Sequence, residues 1–157
     1  MRGRAMRRCW MRGTNEDGNS LVELAVLMPM LILILAGAAE LGRVAYESNA
    51  VTNAAYAGAF YGAQNHGTAS DTANITAAAV SDGANVAGLT ATTATSCTCS
   101  DGTTITCANA AAKCASPARI EEFVQVNTSA TVNPMFNYPG VSATWVLHGQ
   151  ATLRVVE

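Results

Sequence analysis

Gly18-Asn19-Ser20-Leu21-Val22-Glu23 opens an apolar run that continues to Ala39. From Leu21 onward the run has 19 residues, and Glu23 is its only charged residue. A helix needs about 20 mostly apolar residues to cross the hydrocarbon core of a bilayer, so residues 21–39 are predicted to be a transmembrane helix. A carboxylate inside such a helix is costly, and it indicates a function or a charged partner.

The arginines of the chain are concentrated ahead of this run, in a leader of residues 1–18 that is predicted to be disordered. Five arginines lie there, whereas the chain after Gly18 has four basic residues and nine acidic ones. Excess positive charge beside a membrane helix stays on the cytoplasmic side, so the amino terminus is predicted to be cytoplasmic and the rest to lie outside. The acidic balance argues against nucleic-acid binding by that part, since phosphate neutralisation needs clustered Lys or Arg.

A secretory signal peptide is the competing interpretation of the apolar run. Ala36-Gly37-Ala38 is similar to the small-residue cleavage site of such signals. The charge of Glu23 and the length of the run both argue against a simple signal.

Glu23 and Pro29 each have a structural interpretation as well. A helix that begins near Ser20 would place Glu23 three residues after its cap, which is the spacing of a capping box. That interpretation is compatible with a functional role, which we favour. Pro29 has no amide to bond the carbonyl of Ala25, and it is expected to kink the helix.

Four of the five cysteines lie within 18 residues beyond the run, at Cys97, Cys99, Cys107 and Cys114. In an oxidising compartment they predict two disulfides across a loop of residues 97–114. Cys97 and Cys99 are too close along a strand to bond each other easily, which leaves two pairings. We favour the nested one, Cys97 with Cys114 and Cys99 with Cys107. Zinc is the alternative, but Cys-Thr-Cys has one intervening residue where zinc ligands usually have two.

The helix is predicted to continue past the membrane run and to cover residues 19–63. Its later part is rich in small residues, which would permit close approach of another helix, although packing on the chain's own sheet is the interpretation we favour. Residues 64–70 are predicted to be a loop. A short helix over Thr72 to Asn85, capped by Ser70 or Asp71, is expected to follow.

The remainder of the chain shows strand patterns. Leu89 to Ser96 is predicted to be a strand followed by a turn at Asp101-Gly102. Apolar and polar residues alternate over Phe123 to Val132 and again over Trp145 to Val155, which predicts antiparallel strands with one buried face. The predicted fold class is therefore α+β, with a long amino-terminal transmembrane helix that continues into a small antiparallel β-sheet domain over residues 64–157.

The amino-terminal residues also resemble a known family. Gly18 to Glu23, Pro29 and Ala39-Glu40-Leu41-Gly42-Arg43 resemble the start of TadE-like proteins, which are minor pilins or pseudopilins of the bacterial tight-adherence (Tad) secretion and pilus system. The resemblance is strong over residues 15–63 and looser over residues 120–157. It implies a pilin-like fold.

The resemblance implies that a prepilin peptidase cuts between Gly18 and Asn19 and removes residues 1–18. Asn19 would become the amino terminus. Glu23 would pair with a terminal amine, either that of the same chain or that of a neighbouring subunit, and this attraction is stronger in a low-dielectric surrounding than in water. The implied partners are the membrane, crossed once, the prepilin peptidase, other pilins or pseudopilins and the Tad secretion machinery. The implied location is the bacterial inner membrane, with residues 64–157 in the periplasm or incorporated in an extracellular pilus.

The predicted function is that of a minor pilin that helps to assemble or initiate a Tad-type (type IVb-like) adhesive pilus. The asparagine at the new terminus and the size of the domain favour this role over that of the bulk fibre subunit. The alternative is a signal-anchored extracytoplasmic binding module that never enters a fibre.

An enzyme is not expected, and neither is a cofactor or metal, since His66 in a loop and His148 on an outward strand face form no catalytic or ligand set. Glu121-Glu122 is interpreted as the solvated start of a strand.

Overall fold

The computed structural model of this chain describes residues 16–108, 114, 118–136, 140 and 144–156, with side chains from Ser20 onward. The leader predicted to be disordered lies outside the described residues up to position 15. The chain divides into two units, one that ends at Ala39 and one that begins at Glu40. In chain order, the described elements are α1 (Glu16–Gly62), α2 (His66–Ser70), α3 (Thr72–Asp82), β1 (Thr90–Cys99), β2 (Thr104–Ile105), β3 (Ile120–Val132) and β4 (Trp145–Arg154).

The first unit contains the amino-terminal part of α1. This helix begins at Glu16, four residues before the predicted start near Ser20, and it continues through Pro29. Every side chain from Ser20 to Leu35 is exposed, although nearly all of them are apolar. Within the described residues, α1 is long and apolar enough to cross a membrane.

The second unit contains the rest of α1, and there the helix has one buried face. Its buried positions recur every three or four residues, as expected for the covered stripe of an amphipathic helix. Most of them carry small side chains, namely Val51, Ala54, Ala55, Gly58, Ala59 and Gly62. A Cβ atom on Gly62 would lie 2.9 Å from Ile75 Cδ1 and 2.9 Å from Val124 Cγ1. The small residues therefore pack within the chain, against α3 and the sheet, as we favoured from the sequence.

The sheet has four antiparallel strands in the order β2-β1-β3-β4. The long strands pair in one continuous register, in which Thr93 lies opposite Val126 and Val126 lies opposite Ala151. From Val124 to Val132 every second residue of β3 is buried, so the predicted alternation is confirmed. The predicted α+β class, with a long apolar helix followed by an antiparallel sheet, is confirmed as well.

The core lies between the helices and one face of this sheet. Ile75 and Ala79 of α3 pack with Val124 and Val126 of β3, and all four are fully buried. The buried Thr128 donates its hydroxyl to the carbonyl of Val51 at 2.7 Å, which satisfies the one polar side chain of β3 that is fully buried. β4 also lies close to α1, as shown by Gly149, where an added Cβ would lie 2.6 Å from Val51 O.

The segment after α1 differs from the prediction. α2 occupies His66–Ser70, where a loop was predicted, and it is held by a capping box in which Thr68 N donates to Asn65 Oδ1 at 3.0 Å and Asn65 N donates to Thr68 Oγ1 at 3.1 Å. Asp71 caps α3 as predicted, by accepting from Asn74 N at 3.1 Å. α3 ends at Asp82 rather than Asn85, and Gly83 is its C-cap residue.

Candidate functional site

The predicted processing point lies inside a helix. Gly18 and Asn19 are within α1 of the uncut chain, and Ser20 is the fifth residue of that helix. The capping-box interpretation of Ser20 and Glu23 is therefore wrong for the uncut chain, because a cap precedes the first helical turn. The side chain of Glu23 is exposed in the first unit.

Asn19 and Glu23 are four residues apart on this helix. Residues with that spacing are neighbours on one helix face, and the rise between them is about 6 Å at 1.5 Å per residue. An amine created at residue 19 would therefore lie one turn from the Glu23 carboxylate.

A polar junction in the second unit follows directly after the apolar run. Glu40 is 4% exposed, and its carboxylate accepts two hydrogen bonds, from Arg43 Nη2 at 3.0 Å and from the Met135 amide at 3.1 Å. Arg43 also donates to Glu47 Oε1 at 3.1 Å and to the carbonyl of Asn133. The junction therefore ties residues that follow β3 to α1, across 95 residues of sequence.

The electrostatics of the junction favour both charges. The hydrogen bond from Arg43 lowers the pKa of the Glu40 carboxyl below its ordinary value, against the opposing effect of burial, and the Met135 amide assists. The hydrogen bond to Glu40 raises the pKa of Arg43 in turn. Among the described side chains, Arg43 Nε is buried and has no hydrogen-bond partner. Charges at spacings of three and four after the apolar run indicate contacts along the helix, but the sequence did not predict that Asn133 and Met135 contact them.

The cysteines form two disulfides with crossed pairing. Cys97 bonds Cys107, and Cys99 bonds Cys114, so the nested pairing that we favoured is wrong. The reason is the register of the hairpin: Cys97 lies opposite Ile105, and the amide of Cys99 bonds Thr103 O at the turn. The second arm therefore runs back past Cys97, and Cys107 meets that residue rather than Cys99.

Two polar contacts of the neighbouring strand β3 were not revealed by the sequence. His66 Nδ1, at the start of α2, lies 2.5 Å from Glu122 Oε2, and Glu121 pairs with Arg154 at 3.1 Å. Glu121-Glu122 lies at the start of β3 as predicted, but both side chains are half-buried and have polar partners, so the prediction that they are solvated is wrong. A Glu122 oxygen lies within 4.8 Å of the sulfurs of Cys97 and Cys107, but metal binding needs thiolates, and the disulfide leaves none there.

Comparison with known proteins gives one match. The sequence model of the TadE-like protein family matches residues 18–59. This match begins at Gly18 and includes Glu23, Glu40 and Arg43. No curated protein and no solved structure matches the chain.

A TadE-like match implies a pilin-like protein associated with the Tad pilus, and it agrees with the one helix of the described residues that could cross a membrane. The two observations together support membrane association and the context of a pilus system. Residues 18–59 of this chain are thus similar to the TadE-like family.

Proposed function

We propose that this chain is a minor pilin, or pseudopilin, that helps to assemble or initiate a Tad-type adhesive pilus. The observation that carries the proposal is that the family match begins at Gly18, with Glu23 five residues later in a helix that otherwise exposes apolar side chains. A prepilin peptidase would cut after Gly18 on the cytoplasmic side of the inner membrane. The second unit would then lie in the periplasm, with other pilins and the Tad machinery as its partners.

The proposed cut would create an amine close to Glu23. An ionised carboxylate in hydrocarbon costs several kcal/mol unless it is paired. The new amine at Asn19 lies one helical turn away in the same chain, and the amine of a neighbouring subunit could take the same role. The attraction is strong because little water competes with it.

The second unit supports an extracytoplasmic and structural role. Two disulfides within 18 residues are typical of an oxidising compartment. The polar contacts Glu40–Arg43, His66–Glu122 and Glu121–Arg154 link residues of the fold to one another. We therefore propose a protein that acts by assembly and not by catalysis.

The cut is tested by the mass and the first residue of the membrane-bound protein. Gly18→Phe should block trimming and leave residues 1–18 attached, because a bulky side chain at the cut obstructs the peptidase. Gly37→Phe is the matched control, since a Cβ at Gly37 meets nothing within 4 Å, and it should be trimmed as the natural chain is. If instead Gly37→Phe blocks cleavage and Gly18→Phe does not, the apolar run is a secretory signal and the proposal is wrong. An uncut natural chain would point to the signal-anchored module.

The role of Glu23 is tested separately from the cut. Glu23→Ala should still be trimmed but should fail to support piliation, because the terminal amine has lost its partner. Glu16→Ala is the control, since that carboxylate leaves with the leader and the variant should form pili normally. Normal pili from trimmed Glu23→Ala would refute the pairing.

A further inference from the structure

A shallow polar cavity, open to solvent, lies at the surface between α1 and the end of α3, away from the junction and the cysteines. Its volume is about 210 Å³, and it is lined by Tyr46, Asn49, Ala50, Asn53, Asp82 and Asn85. Five of these six residues carry a side chain that can form hydrogen bonds. Both elements belong to the second unit, so the cavity is a feature of one compact body.

The polar groups of this cavity are available to a ligand. Within the described residues, the one side-chain hydrogen bond that joins two of them runs from Asn85 Nδ2 to Tyr46 Oη, and it is long at 3.5 Å. Asparagine amides both donate and accept, whereas a carboxylate only accepts. The ring of Tyr46, whose residue is 65% exposed, adds an apolar surface beside them.

Asp82 is in a place that does not favour stability. It is the last residue of α3, and the last turn of that helix contains no basic residue. The carbonyl end of a helix carries partial negative charge, so a carboxylate there is disfavoured. A residue that costs stability at the wall of a cavity is often kept for binding.

We infer that this cavity binds a single neutral sugar ring. Hydroxyl groups donate and accept, which matches three amides and one carboxylate. Asp82 would repel an anion, and a lone carboxylate gives too few charged oxygens for a hard cation such as Ca²⁺, which takes six to eight ligands. The volume lies below the roughly 300–1,000 Å³ of sites for drug-sized ligands, which fits one ring. The inference goes beyond the proposed function, because sugar binding requires neither trimming nor assembly.

Saturation-transfer NMR on the full chain tests this inference. The chain is held in a detergent without a sugar headgroup, and glucose, galactose, mannose and N-acetylglucosamine are offered one at a time. At least one should receive saturation from the natural protein. Asp82→Asn and Asn53→Ala should each weaken that binding by about tenfold or more, as expected for the loss of hydrogen bonds in a binding site. Asn127→Ala, which removes an exposed amide on β3, should leave it unchanged.

Thermal unfolding separates a binding role from a structural one. Asp82→Asn should melt slightly higher than the natural chain, because it removes a charge from the wrong end of α3. A lower melting temperature would show that Asp82 supports the fold and would overturn the inference. Saturation of none of the four sugars, or equal weakening by Asn127→Ala, would overturn it too.

Discussion

The two parts of α1 contrast more sharply than any other pair of regions in this chain. Residues 20–39 carry mostly large apolar side chains on all sides, and nearly all of them are exposed. Residues 40–62 place small residues on one face, and the fold of the second unit covers that face. One helix therefore has two kinds of surface: the first needs an apolar surrounding from outside the chain, and the second is covered by the chain itself. Side-chain size decides between them, because only small residues allow a sheet to approach a helix closely.

The largest expected effect is seen when isoleucine is replaced by alanine in each unit and the two variants are compared. Ile75→Ala should lower the free energy of unfolding of the second unit by about 2–5 kcal/mol, because Ile75 is fully buried in the core. Ile32→Ala removes the same atoms from a residue that is 59% exposed, and it should leave that free energy unchanged. Urea unfolding of the full chain in micelles, followed by Trp145 fluorescence in a Trp10→Phe background, measures both. Equal losses would erase the contrast between the two parts.

The second effect concerns the crossed disulfides. Cys99→Ser together with Cys114→Ser removes one complete bond and should cost about 2–4 kcal/mol of unfolding free energy, because the unfolded chain gains freedom. No new free thiol should appear in that variant. Cys99→Ser together with Cys107→Ser should instead break both disulfides and leave Cys97 and Cys114 without their natural partners. Thiol titration of the unfolded, unreduced protein distinguishes the two results, and the opposite pattern would restore the nested pairing.

Smaller effects, opposite in sign to each other, are expected when two glycines of α1 are replaced by alanine. Gly62→Ala should destabilise the second unit by about 1–3 kcal/mol, since its Cβ would meet Ile75 and Val124 at 2.9 Å. Gly37→Ala meets nothing within 4 Å, and it should favour the helix by up to about 1 kcal/mol. Urea unfolding measures the first change, and helix content by circular dichroism measures the second. A destabilising Gly37→Ala would show that residues 20–39 are packed as tightly as residues 40–62.

The smallest effect is a dependence on pH, and it comes from Glu40, the buried acid where the second part of α1 begins. Because the folded pKa of Glu40 is below its ordinary value of 4.5, its carboxylate adds stability that is fully present above that value. The contribution is lost as the pH falls through the lowered pKa of the folded form. Glu40→Gln should therefore be less stable near neutral pH and should show a shallower loss of stability in acid. Unfolding midpoints of the natural chain and of Glu40→Gln from pH 3 to 7 measure the effect, and the same loss of stability in acid for both proteins would contradict the lowered pKa of Glu40.

Sequence reasoning succeeded where a pattern repeats locally. The predicted end of α1 near residue 63 and the alternation in β3 and β4 both agree with the structure. The prediction failed for α2, because five residues carry too little periodicity and the Asn65–Thr68 capping box was overlooked. It also missed the partners of Glu40 and Glu122, since a pattern along the chain does not show which distant residue lies opposite.

The sequence by itself determined a membrane-length helix with one carboxylate near its start, a carboxyl-terminal pair of half-buried strands, and the resemblance at residues 18–59. The helix and the strands follow from hydrophobicity and spacing, which act between residues close in the chain. Only the tertiary structure decided which cysteines bond, that Glu40 receives the Met135 amide, and that Asp82 shares a cavity with Asn49 and Asn53. Those contacts depend on strand register and on the packing of helices against the sheet, which many residues fix together and no short segment encodes.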